Sequence, residues 1–238
     1  MPLEAGARLG PYEIIAPLGA GGMGEVYQAR DTRLERTVAV KVLTGALAAD
    51  LESRQRFEQE ARAVAALNDP RICTIHDVGR HGESDYLVLE YLDGETLADR
   101  LRRAPTLPVQ DSLAIAIQIA DGLERAHRAG IVHRDLKPGN VMLLGRSGPT
   151  GTPQIKLLDF GLAARTAVGR PAALDASLSA TIATSQVATR PGTTPVSGGF
   201  SGTVQYMAPE QLEGKDADHR TDIFAFGCVL YEMLAGRK

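Results

Sequence analysis

The sequence predicts an α+β chain in two unlike parts that meet near Leu92. Residues 11 to 43 are rich in β-branched side chains with short breaks, as antiparallel strands are. Residues 50 to 67 place Leu51, Phe57, Ala61, Val64 and Leu67 at helical spacing, the one helix of the front part. Beyond residue 92 the periodicity becomes predominantly helical.

In chain order, Tyr12–Ile15, Glu25–Arg30 and Arg36–Leu43 form the first strands, with a glycine cluster between the first two. Asn68-Asp69-Pro70 stops the helix that follows. Strands near Thr74–Val78 and Tyr86–Glu90 complete a five-stranded antiparallel sheet, and Leu92-Asp93-Gly94-Glu95 reads as a linker. Helices are predicted over Thr96–Arg103 and Val109–Ala129, the second closed by Gly130. Short strands at Val141–Leu144 and Ile155–Leu158 flank a flexible connection, residues 145–153, and Arg220–Ala235 is a last apolar helix. Residues 162–203 differ from everything else. Of these 42 residues, 29 are Ser, Thr, Ala, Gly or Pro and four are charged. Such a segment cannot bury enough apolar surface to order itself, so it is expected to be largely disordered.

Of the 238 residues, 44% are apolar and 23% charged, the balance of an ordinary soluble globular protein. A net charge of −3 gives no reason to expect nucleic-acid or anionic-membrane partners. Cys73 and Cys228 lie far apart with no CxxC pairing, so neither a disulfide framework nor a zinc site is expected. The N-terminus has no basic region ahead of an apolar run, and no window reaches the ~18 apolar residues of a membrane span. A soluble, cytoplasmic location is the expectation. The sequence sets no oligomeric state.

The chemistry concentrates in HRDLKPGN, residues 133–140, which crowds His133, Arg134, Asp135, Lys137 and Asn140 between the apolar pairs Ile131-Val132 and Val141-Met142. A solvated turn is one reading; a loop that holds metal, phosphate and an attacking hydroxyl is the other. Gly19-Ala20-Gly21-Gly22-Met23-Gly24 fits GxGxxG, which two unrelated nucleotide folds use. A strand, not a helix, follows it here, which favours a hairpin whose N–H groups lie over phosphates. In Val38-Ala39-Val40-Lys41, strand alternation puts Ala39 and Lys41 on one face. A lysine there, if buried, needs a carboxylate, and Glu60 is the candidate; the alternative is that both face solvent.

With Asp159-Phe160-Gly161 and Ala208-Pro209-Glu210, the glycine motif through Val26, the lysine strand and HRDLKPGN stand in the order of the protein kinase signature set. The chain resembles the bacterial, eukaryotic-like Ser/Thr protein kinases over residues 10–238. The resemblance implies a two-lobe fold. Residues 10–92 would form an N-lobe of five antiparallel strands and one helix. Residues 93–238 would form a helical C-lobe lacking its last helices and carrying the insert 162–203. It implies ATP and Mg²⁺ as cofactors, with Mn²⁺ as a substitute, and Ser/Thr hydroxyls of proteins as acceptors. Asp135 would accept the hydroxyl proton, Lys137 would steady the γ-phosphate, and Asn140 and Asp159 would bind metal. Lys41, paired with Glu60, would hold the α/β-phosphates. Leu18, Gly19, Ala20, Gly21, Gly22 and Gly24 would cover the nucleotide. Val26, Ala39 and Leu143 would line the adenine pocket, Glu90 and Leu92 would offer hinge backbone groups, and Leu89 would be the gatekeeper. For the pocket residues ordinary core packing explains the residue types equally well. His133, Phe160 and Val64 would stack in an apolar column, and Asp222 would anchor the catalytic loop.

In the family the arginine at Arg134 commonly receives a phosphorylated residue. Thr194 and Ser197 stand where activating sites often occur, and Thr203 resembles a structural threonine; a passive insertion is the alternative. The chain stops at Lys238, where related kinases continue. Glu210 would then lack its arginine, and Phe224, Phe226, Val229, Leu230 and Met233 would be partly exposed. Two functions stay open: autophosphorylating Ser/Thr kinase, or an inactive nucleotide-binding or interaction fragment. A small-molecule phosphotransferase would share the metal residues but not Ala208-Pro209-Glu210 or Thr203.

Overall fold

The computed structural model describes residues 2–21, 24–43, 51–82, 84–147, 151–160 and 204–237. Strands β1 (Arg8–Leu9), β2 (Tyr12–Gly21), β3 (Gly24–Asp31), β4 (Arg36–Leu43), β5 (Ile75–His81) and β6 (Ser84–Glu90) form one antiparallel sheet in the order β1-β2-β3-β4-β6-β5. The sheet therefore has six strands, not five. The extra edge strand is two residues long and carries too little alternation to register in the sequence.

Alternation gives this sheet two different faces. Tyr12, Ile14, Tyr27, Ala29, Val38, Val40 and Val88 form a buried cluster on one side. Leu43, Leu87 and Ile75 turn the other way and join the main core, which continues through the helical part of the chain. Helix α1 (Leu51–Ala65) contributes Phe57, Ala61 and Val64 to that core, at the spacing the sequence predicts.

A second, three-stranded sheet consists of β7 (Gly94–Thr96), β8 (Val141–Ser147) and β9 (Thr152–Leu157). Residues 94 and 95, expected in a linker, are thus strand, paired with Leu144 and Leu143. A Cβ at Gly94 would lie 2.2 Å from the Leu143 carbonyl oxygen, so only glycine allows this approach. Likewise β8 and β9 extend into the expected connection, of which residues 148–150 lie outside the described set.

Helix α2 (Leu97–Arg103) is capped by Thr96, whose Oγ1 accepts the Asp99 N–H at 3.1 Å. Helix α3 (Val109–Arg128) buries Ile115, Ile119, Leu123 and Ala126 along one stripe. After the short helix α4 (Pro209–Leu212), α5 (His219–Ala235) starts at an Asp218 cap and packs on α3. That packing buries Val229 and Met233 completely, contrary to the expected exposure. Phe226 and Leu230 are half-buried and Phe224 is exposed. No helix among the described residues is long and apolar enough to cross a membrane.

Candidate active site

The glycine segment forms a β-hairpin, as the following strand requires. Gly19 pairs with Val26, and Val26 pairs in turn with Lys41, so hairpin, valine and lysine form one row across the sheet. Gly24 has φ +137°, and a Cβ there would lie 1.9 Å from the Val42 carbonyl oxygen, so the hairpin closes only with glycine. Gly22 and Met23 lie outside the described residues; Leu18 is exposed at the hairpin's edge. Ala39 and Lys41 share the face that turns toward the main core, as alternation predicts, and both are buried.

A buried ammonium requires an anion. Lys41 Nζ meets Asp159 Oδ2 at 2.7 Å, while Glu60 Oε1 lies 3.8 Å from Arg134 Nη1. The expected Lys41–Glu60 pair is therefore replaced among the described ion pairs. Phe57, Ala61 and Val64 carry the packing of α1, and Glu60 sits beside that stripe, where it meets the catalytic loop's arginine. Phe160, adjacent to Asp159, is buried with its ring 4.6 Å from that of His133, and Val64 is buried in the same core. Burial holds the His133 pKa below its ordinary value, so the ring is neutral.

Asp222 organises the loop of residues 133–140. Its Oδ2 accepts the His133 N–H at 2.8 Å, and its Oδ1 accepts the Arg134 N–H at 2.8 Å. Oδ2 also meets His127 Nε2 at 2.7 Å. Arg134 has φ +63°, a left-handed conformation these bonds help to fix. The turn delivers Asp135 into a cage. Lys137 Nζ lies 2.8 and 3.0 Å from the two carboxylate oxygens. Asn140 Nδ2 donates to the Asp135 backbone oxygen at 2.8 Å and to Oδ2 at 3.0 Å.

Asn140 and Asp159 offer oxygens of the kind a hard divalent cation takes. Asn140 directs its amide hydrogens at Asp135, which leaves Oδ1 as the acceptor. Asp159 is 29% exposed at its side chain and uses one oxygen for Lys41. The Leu158 N–H donates to the Asn140 backbone oxygen at 2.9 Å, which ties the two donor segments together.

At the hinge, Leu89 is half-buried against the main core, Leu143 is buried and Val26 half-buried. The connection from β6 to β7 is the three residues Tyr91, Leu92 and Asp93. Glu90 enters it with its side chain engaged: Oε1 accepts from Lys156 Nζ at 2.5 Å and from the Thr74 N–H at 2.7 Å.

Several structural partners carried no signal in the sequence. Tyr206 donates its hydroxyl to Glu232, and Gln211 Nε2 donates to the Arg134 carbonyl oxygen at 2.9 Å. Glu210 accepts the Thr221 hydroxyl at 2.7 Å, which lowers its pKa. His127 ends α3 with nothing nearby to mark it as a partner of Asp222, 95 residues on. The insert 162–203, with Thr194, Ser197 and Thr203, lies outside the described residues, as does Gly161.

A model of the protein kinase domain matches residues 12–238. A probable serine/threonine-protein kinase of Streptomyces coelicolor is 41% identical over 240 residues, covering 99% of this chain and 32% of that protein. Serine/threonine-protein kinase PknB of Mycobacterium leprae is 39% identical over 229 residues, with 94% and 32% covered. PknA of Mycobacterium tuberculosis is 39% identical over 236 residues, with 96% and 48% covered. Among solved structures, a double mutant of the Mycobacterium tuberculosis PknI kinase domain aligns with a TM-score of 0.73 at 30% identity, over 99% of this chain and 77% of that one. The chain thus spans about a third to a half of the curated relatives it matches. By its motifs, its two-part fold and these matches, the chain belongs to the protein kinase family, among the bacterial kinases of eukaryotic type.

Proposed function

We propose that this chain is the catalytic module of a Ser/Thr protein kinase, transferring the γ-phosphoryl group of ATP to Ser/Thr hydroxyls of proteins with Mg²⁺ as the metal. One observation carries the reading. Lys137, Asp135, Asn140, Asp159 and Lys41 form a continuous polar chain: Lys137 and Asn140 on Asp135, the Asn140 backbone on Leu158, and Asp159 on Lys41. The kinase-named relatives do not favour the inactive-fragment alternative.

In this reading Asp135 takes the proton of the attacking hydroxyl as its oxygen bonds phosphorus and the bond to ADP's oxygen breaks. Lys137 and Asn140 fix the carboxylate's orientation, and the Asp222 bonds hold its backbone. Lys137 also offsets negative charge on the transferring group. Asn140 Oδ1 and an Asp159 oxygen would hold Mg²⁺, which when bound neutralises charge on the phosphate oxygens. Lys41 would leave or share Asp159 to meet the α/β-phosphates beneath the hairpin. Arg134 would accept a phosphorylated residue of the insert, with Thr194 and Ser197 as candidates.

The test is transfer of radiolabel from γ-labelled ATP to a Ser/Thr-containing protein, followed by phosphoamino acid analysis. Label on phosphoserine or phosphothreonine, absent with Asp135→Asn, supports the reading. Label on phosphotyrosine alone, or on neither chain nor substrate, contradicts it.

A further inference from the structure

We infer that Lys156 is a positioning residue for the nucleotide's base, acting through Glu90 from behind the hinge. The inference rests on the ATP-binding reading above. Lys156 belongs to β9 in the three-stranded sheet, Glu90 closes β6 in the six-stranded sheet, and 66 residues separate them.

Three bonds converge here. Lys156 Nζ donates to Glu90 Oε1 at 2.5 Å and to the Ile72 carbonyl oxygen at 3.2 Å. The same Oε1 accepts the Thr74 N–H at 2.7 Å. The Glu90 N–H in turn donates to the Thr74 carbonyl oxygen at 3.0 Å. Glu90 is thus held by its backbone and its side chain at once. The segment that holds it is itself fixed to β9: Leu157 N–H donates to the Arg71 oxygen at 2.7 Å, and Cys73 N–H donates to the Leu157 oxygen at 2.9 Å.

The side chains of Lys156 and Glu90 are only 14% and 22% exposed. Removing the ammonium would leave a largely buried carboxylate with one neutral donor, and such a group turns toward water. A Glu90 carboxylate that turned to water would also give up the Thr74 N–H, loosening the residue that leads into the three-residue connection. The backbone groups of residues 90 and 92, proposed to meet adenine, would then be held less firmly. Neither Lys156 nor its contacts involve Lys41, Asp135, Asn140 or Asp159, so the phosphate and metal half of the site is untouched.

The experiment compares Lys156→Met, Lys156→Arg, Glu90→Gln and the double variant Glu90→Gln/Lys156→Met by ATP kinetics and by calorimetric binding of Mg·ADP and of Mg·tripolyphosphate. Lys156→Met should raise KM for ATP and Kd for ADP about tenfold, the low end of the effect of losing an outer support of a binding group. kcat should stay within about twofold, because binding and not the transition state is affected. Tripolyphosphate, which has no base, should bind all variants alike. Lys156→Arg should restore most ADP affinity, and the double variant should be no weaker than the worse single one. Unchanged ADP affinity in a folded Lys156→Met variant would overturn the inference. So would equal loss of ADP and tripolyphosphate, which marks general damage. If Lys156→Met does not fold, Glu90→Gln decides by the same ADP-to-tripolyphosphate comparison. Failure of the unaltered chain to bind ADP would overturn the ATP reading itself, and this inference with it.

Discussion

Asp222 on α5 accepts the backbone N–H groups of both His133 and Arg134 at 2.8 Å, so a residue 87 positions beyond Asp135 sets the catalytic loop's path. Asp222 is fully buried, and Asp222→Ala would orphan these two donors and the His127 contact. The expected loss is about 3 kcal/mol or more in stability, from two or three unmade buried bonds. Denaturant unfolding of the variant measures it. A loss below about 1 kcal/mol would mean that water or another group takes over the role.

Lys41 and Asp159 are bonded directly, so their substitutions should not add. A double-mutant cycle with Lys41→Met and Asp159→Asn should show a coupling of about 1–3 kcal/mol in stability. Glu60→Gln, which meets Arg134 at 3.8 Å against 2.7 Å for Lys41–Asp159, should cost less than Asp159→Asn. The reverse ranking would restore the Lys41–Glu60 pair as the resting arrangement.

The glycine hairpin offers a contrast of two alanines. Gly24→Ala would place a Cβ 1.9 Å from Val42 O with a left-handed backbone, whereas a Cβ at Gly19 meets nothing within 4 Å. Gly24→Ala should therefore weaken ATP binding and lower stability by about 2 kcal/mol or more. Gly19→Ala should leave stability nearly unchanged. Thermal melting and ATP titration of both variants check the difference.

Arg71 joins Asp69 at 2.9 Å and Asp121 on α3 at 2.5 Å. The Arg71 side chain holds the Asp69 carboxyl below its ordinary pKa. A depressed carboxylate contributes stability that is present above its unfolded pKa, about 4, and is lost as pH falls through the folded value. Asp69→Asn should lower stability at pH 7 and flatten the acid limb below about pH 4. Equal slopes for both proteins in pH-dependent urea unfolding would disprove the link.

Much of this arrangement was legible because the chemistry is local in sequence. HRDLKPGN carries Asp135, Lys137 and Asn140 within one turn, and alternation alone placed Ala39 beside Lys41 on the inner face. The α1 stripe follows from a short-range rule. What escaped was long-range or very short. The sequence offered Glu60 for Lys41, whereas the structure pairs it with Asp159, which no spacing rule links to it. No spacing rule links Glu90 to Lys156. Gly94 and Glu95 read as a linker and Thr96 as the start of a helix, because a three-residue strand with a glycine carries no alternation; its pairing with Met142–Leu144 is long-range.

Asp135, caged by Lys137 and Asn140, is proposed to serve phosphoryl transfer. The most direct test of that role is the intact mass of the purified chain after incubation with ATP and Mg²⁺, beside Asp135→Asn. Added phosphate, about 80 Da each, is expected on the unaltered chain alone, because loss of the base removes most of the rate. Peptide mapping would then place it, with Thr194 and Ser197 as the expected positions. A folded chain that binds ATP yet gains no mass, or an Asp135→Asn variant that gains as much, would contradict it.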